Sequence, residues 1–76
     1  MSVRVEGFKS VEGAIEYVKG LKDASVLVTI YDKNGKYWFQ GEVIFMNRSF
    51  FILCGDYNFK DTVLFADLVS GERMVG

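Results

Sequence analysis

Apolar and polar positions follow two different periods along this chain. From Ser10 to Leu21 (SVEGAIEYVKGL), Val11, Ala14, Ile15, Val18 and Leu21 recur at three- and four-residue spacing, which places them on one stripe of a helix. Glu12, Glu16 and Lys19 fall away from that stripe. Ser10 suits an N-cap, and Glu12 suits the positive end of the helix dipole. Gly13 and Gly20 each weaken a helix by roughly 1 kcal/mol relative to alanine, so the helix predicted over about 10–21 depends on docking. From Ser25 the period drops to two. A β-branched strand is predicted over 25–32 (SVLVTIYD), followed by the turn Asp32-Lys33-Asn34-Gly35, where Asn-Gly is a strong hairpin signal. A second strand runs over 36–46, Asn47-Arg48-Ser49 breaks it, and a third covers 50–54. After a loop over 54–61 come a fourth strand over 62–69 (TVLFADLV) and a fifth over 72–75. Upstream, Val3 and Val5 suit a short edge strand or an ordered arm. One helix followed by five short strands predicts a mainly β fold: a small five-stranded bent-sheet barrel, closed or partly open, forming one domain over 1–76.

The second strand raises a problem of cover. Alternation puts Tyr37, Phe39, Gly41, Val43 and Phe45 on one face, and Trp38, Gln40, Glu42, Ile44 and Met46 on the other. The first face has no charge and is the expected interior, with Gly41 permitting a sharp bend. On the second, Trp38, Ile44 and Met46 need shelter that a single helix supplies only in part. These three are candidate interface residues, and a neighbouring protomer is the expected cover.

Composition sharpens this picture. A chain of 76 residues buries only about 60% of the surface its unfolded form exposes. Its single cysteine, Cys54, rules out an internal disulfide, and the absence of histidine rules out Cys-His zinc sites. No metal or cofactor is expected, and oligomerisation or dense apolar packing is left as the supplement. The net charge of −1 gives no global basic field for non-specific nucleic-acid binding, yet leaves room for a local site built on stacking. No apolar run approaches the ~20 residues of a membrane span, and MSVRVEG has no signal-peptide core, so a cytoplasmic location is expected. Catalysis is not expected, because the usual general base is missing and small barrels fill their interiors with side chains.

The order of helix, strand, Asn-Gly hairpin, glycine-bent strand, short polar loop and apolar strand resembles the Sm-like family, including its bacterial Hfq branch. The resemblance covers about 10–75 and is densest in NGKYWFQGEVIFMNRSFFIL (34–53). Asn47 stands where that motif commonly has an aspartate, and Phe51 where many Sm proteins have a base-contacting asparagine. The last two strands allow two registers. Either Val69 to Met74 lies on the second Sm motif, with Ser70 in place of its arginine, or 63–70 lies on the Hfq segment that carries Lys-His. The resemblance implies a homo-oligomeric ring in which the fourth strand of one subunit pairs with the fifth of the next.

Two polar clusters are candidate nucleic-acid contacts. In the first, Arg48 would hold phosphate or stack, Asn47 would bond a base edge, and Phe50 would stack beside Ser49. The competing reading is a hairpin tip that is polar because it is wet. In the second, Ser70, Glu72 and Arg73 would form a rim beside that loop across a subunit boundary, the alternative being a turn with Gly71 left-handed. Cys54 is expected to be a buried thiol. The function these features suggest is a self-associating, non-enzymatic Sm-like barrel that binds RNA or single-stranded nucleic acid at a loop rim. The alternative is a protein–protein interaction module, as an adaptor, a subunit or a small viral-type inhibitor.

Overall fold

The structure, a computed structural model, describes residues 7–76; Val3 and Val5 lie outside the described residues. Helix α1 spans Val11–Asp23, and the Ser10 side chain accepts a bond from the Gly13 amide at 3.2 Å. Ala14 and Val18 are buried on its inner face. At its other end the Val26 amide donates to Leu21 O and the Ser25 amide to Lys22 O, with Ser25 at φ 55. This is a Schellman closure with serine in the left-handed position that glycine usually takes. It corrects the strand predicted over 25–32: the closure consumes 25–27, and β1 is Val28–Asp32.

The remaining strands are β2 Tyr37–Met46, β3 Phe50–Cys54, β4 Lys60–Leu64 and β5 Arg73–Val75. They form one antiparallel sheet in the order β4-β3-β2-β1-β5. The fold is mainly β, and the sheet is bent but not closed, because β4 and β5 remain its two edges. Its bend lies within β2. The N-terminal half of that strand pairs with β1 as far as Gly41, and the C-terminal half pairs with β3 from Glu42. The core fills the concave side: Val28, Ile30, Val43, Phe51, Leu53, Val63 and Val75 from the sheet, with Ala14, Val18, Phe65 and Leu68 from the helices.

The fourth strand predicted over 62–69 is two elements. β4 ends at Leu64, and helix α2 follows over Phe65–Ser70, closed by Gly71 at φ 90. Val63 and Phe65 point inward. Continuing the alternation would have carried Asp67 into the core, and an unpaired buried carboxylate is costly. Coiling instead brings in Leu68, which is buried, and leaves Asp67 half-exposed.

The expected inner face of β2 is also corrected. Tyr31 pairs with Tyr37 while Ile30 pairs with Phe39, so Trp38 is an extra residue. Val43 pairs with Leu53 and Phe45 with Ile52, so Ile44 is a second extra residue. Each bulge shifts the strand's alternation by one. Only Phe39, Gly41 and Val43 keep the predicted inward sense. Tyr37 and Phe45 are turned out, and Phe45 is 47% exposed. Met46, predicted outside, packs half-buried against the core opposite Phe51.

The β1–β2 connection is set by Asp32. Gly35 N donates to Asp32 O at 2.9 Å, and Gly35 takes φ 83 while Asn34 stays at negative φ. The turn is therefore not the two-residue type that Asn-Gly favours, which needs both residues left-handed. The Asp32 carboxylate instead accepts from the amides of Lys36 (2.9 Å) and Asn34 (2.8 Å). The Lys36 amide bond is the main cause that holds this carboxyl below its ordinary pKa of 3.8; desolvation opposes it, and the Asn34 amide and then the charges of Lys36 and Arg73 add to the lowering. A lowered folded-state pKa stabilises the fold above the ordinary value, and the contribution is lost as pH falls through the folded value. Asp32→Ala is thus expected to lower the melting temperature at neutral pH. The gap to the unsubstituted chain should narrow in acid, below pH 3.8, when both are melted in parallel. A gap independent of pH would assign the loss to the turn's backbone alone.

Candidate functional site

The sequence-predicted site residues occupy separate places. Asn47 is used locally: its Oδ1 accepts from the amides of Ser49 and Phe50, each at 2.8 Å, and its own amide donates to Phe50 O at 3.0 Å. This side-chain turn is the ordinary reason for asparagine at a hairpin tip. Ser49 O accepts from the Phe65 amide at 3.0 Å, which ties the β2–β3 turn to the start of α2. Arg48 pairs with Glu12 of α1, both side chains exposed. Phe50 is half-buried, its ring 6.0 Å from that of Phe45.

Ser70 and Arg73 are not brought to that turn within the chain. Ser70 Oγ donates to Asp67 O at 3.3 Å and accepts from the Glu72 amide at 3.4 Å, closing the end of α2. Arg73 lies on β5, its guanidinium carbon 4.2 Å from the ring centroid of Trp38. An exposed cation–π contact of this kind is worth about 0.5–1 kcal/mol. Trp38 is still 49% exposed, but it sits at the opposite end of β2 from Ile44 and Met46. The three interface candidates therefore do not form one patch: Trp38 stacks under Arg73, Met46 packs on the core, and Ile44 stands exposed at its bulge.

A continuous apolar surface does exist, in a place the alternation hid. Because Phe45 is turned out by the bulge, it shares the outer face with its cross-strand partner Ile52 and with the Phe50 ring. Phe50 in turn pairs with Leu64 of β4, which is exposed. Cys54 belongs to the same outward register, opposite Glu42 and Lys60, and is half-buried rather than the buried thiol expected. At its β2 end the surface opens into a groove of about 450 Å³ against α1. The groove is lined by apolar Ile15, Ile44, Phe45 and Met46, by Asn47, and by the charged Lys19, Lys22, Asp23 and Arg48. Glu12, Ile15, Lys19 and Lys22 follow one another at i, i+3, i+7 and i+10, a single stripe of α1, so the helix presents a mixed apolar and cationic edge to the strand. Phe45, Lys19 and Lys22 escaped the sequence reading. The recoverable signal was Ile15-Lys19-Lys22, an aliphatic residue continued by cations along one helical stripe.

Among the described residues no polar or charged side chain is buried, and no group of three or more metal-capable side chains occurs. No helix among them is long and apolar enough to cross a membrane. Comparison of the chain with family models, with curated proteins and with solved structures finds no match, so the Sm-like resemblance carries no more than the residues quoted for it.

Proposed function

We propose that the chain is a non-enzymatic binding module that docks a protein partner on the outer face of β2, β3 and β4. One observation carries this reading: the bulge at Ile44 turns Phe45 outward and joins it to the half-buried Phe50 and Ile52 and the exposed Leu64 as one partly exposed apolar surface that meets the groove beside α1. Contiguous apolar surface of this kind marks sites of association, and a half-exposed aromatic at its centre is the sort of residue that dominates binding energy. The exposed position of Phe45 means that its loss should spare the fold. Phe45→Ala is expected to cost about 0.5–1.5 kcal/mol of stability, the worth of its ring contact with Phe50, against the 3–5 kcal/mol of a buried phenylalanine.

A second reading, RNA or single-stranded nucleic acid at the same place, is favoured by Phe45 standing beside Lys19, Lys22 and Arg48, since an aromatic face among cations can hold a base and its phosphates. It is the weaker reading because the chain, at a net charge of −1, has no basic field to gather phosphates, and beside Phe45 the groove is lined by the aliphatic and thioether side chains of Ile15, Ile44 and Met46. Self-association, in a ring or otherwise, would cover the same surface with a copy of the chain. The test is a selection from a randomised peptide library on the immobilised chain and on its Phe45→Asp variant, beside anisotropy titrations with short uridine- and adenine-rich RNA. Peptides retained by the unsubstituted chain and lost by Phe45→Asp are expected, without saturable RNA binding at micromolar protein. RNA binding abolished by Phe45→Asp, with no Phe45-dependent peptide, would replace this reading with the second. Light scattering on both proteins shows whether the occupant is a second copy.

A further inference from the structure

The chemistry around the groove narrows the class of partner. Lys19 and Lys22 make no ion pair among the described residues, although Asp23 stands beside them, whereas Arg48 is taken up by Glu12. Counting Glu12 with the lining residues, three cations face two carboxylates, a surplus of one positive charge carried by the two lysines, on a chain whose net charge is −1. The two lysines line the groove together with the apolar side chains of Ile15, Ile44, Phe45 and Met46, and its one uncharged polar residue, Asn47, is engaged by its own turn. Lysine stems can line apolar surface while the charged heads stay in water, so the groove combines an apolar seat with two exposed cations on its α1 side. Methionine and an exposed bulge residue let such a seat adapt to different side chains.

Resting on the protein-docking reading above, we infer that the groove between α1 and the end of β2 takes an acidic segment of a protein partner, with one bulky aliphatic or aromatic side chain seated between Ile15 and Phe45 and flanking carboxylates reaching Lys19 and Lys22. The volume of about 450 Å³ is that of a small-ligand pocket, enough for one or two large side chains and too small for a folded surface element to enter whole. The two lysines select on charge, since a basic segment with the same anchor would meet them as like charges. Exposed charge pairs contribute little each and are screened by salt, so the charges act as a filter and the apolar anchor supplies most of the affinity.

The test uses synthetic peptides that place one leucine or phenylalanine between glutamates, a second set with lysines in place of the glutamates, and a third with alanine in place of the anchor. Binding is measured by anisotropy to the full chain, to Lys19→Glu/Lys22→Glu and to Phe45→Asp. The glutamate-flanked peptides are expected to bind about tenfold more tightly than the lysine-flanked ones, from two weak pairs acting together. The double lysine variant should invert that preference, and added salt should shrink it. Loss of the anchor or of Phe45 should abolish binding to both sets. Equal binding of glutamate- and lysine-flanked peptides, still lost in Phe45→Asp, would overturn the acidic-partner inference and leave the docking face standing. No peptide binding in any arm, or binding indifferent to Phe45→Asp, would overturn both.

Discussion

Phe51→Ala is expected to remove a third or more of the stability of the fold, about 3–5 kcal/mol. Phe51 and Phe65 are both fully buried, their rings 5.2 Å apart and tilted by 44°, and they join β3 to the first residue of α2. Phe51 also lies opposite Met46 on β2 and Val63 on β4, so one ring is shared by three strands and a helix. Truncating such a ring removes its transfer free energy and leaves a cavity, together about 3–5 kcal/mol. At ~0.05–0.15 kcal/mol per residue, a domain of 76 residues has only roughly 4–11 kcal/mol to lose. No disulfide can limit the unfolded chain, because Cys54 has no second cysteine to join. Urea melts followed by far-ultraviolet circular dichroism measure the loss. A change below about 1 kcal/mol would mean that Phe51 is not where the core packs.

Gly41→Ala should be the second most damaging substitution, for a reason unrelated to burial of side chains. A Cβ at Gly41 would stand 2.6 Å from Cys54 O and 2.7 Å from Cys54 C, both backbone atoms. Gly41 is the last residue of β2 to pair with β1, and Glu42 is the first to pair with β3. The missing side chain therefore lets β2 cross from one neighbour to the other at close range. Relieving the contact requires β3 to move away from the bend, at a cost of about 1–3 kcal/mol or more. For a domain this small that corresponds to roughly 4–8 °C of melting temperature per kcal/mol. Gly20→Ala is the matched control. A Cβ there meets nothing within 4 Å, and the position lies within α1, so the same change should stabilise by up to about 1 kcal/mol. Opposite signs for the two substitutions are expected. A stabilising Gly41→Ala would show that the strand does not bend where the pairing changes.

The sequence was most informative where local chemistry and pattern agreed. The helix periodicity, its Ser10 cap, the third strand and Gly41 as the bend all follow from single residues or short repeats, and the structure contains each of them. What could not be read is register. A bulge has no distinct composition: Trp38 and Ile44 look like ordinary members of an alternating strand, and only the partners on β1 and β3 reveal that they are extra. One undetected bulge exchanges inside and outside for everything beyond it. That is why Phe45 was expected in the core and Met46 at an interface. The α2 segment was misread for a related cause. FADLVS has the inward positions Phe65 and Leu68 of a helical turn, but its apolar content also satisfies a strand. The decisive residue was Asp67, whose carboxylate a strand would have buried. At the site, Asn47 and Arg48 were legible as a polar tip. Asn47's bonds to the turn's own amides are local, whereas the pairing of Arg48 with Glu12 depends on the packing of α1 beside the turn.

The slip of register at Ile44 is the point on which the docking face rests, and cross-strand proton contacts read it directly by nuclear magnetic resonance. Contacts that pair Val43 with Leu53, Phe45 with Ile52 and Met46 with Phe51 are expected, with the Phe45 ring accessible to a soluble paramagnetic probe. An unbroken ladder that sets Phe45 opposite Phe51, with its ring shielded from the probe, would return Phe45 to the core and remove the docking surface.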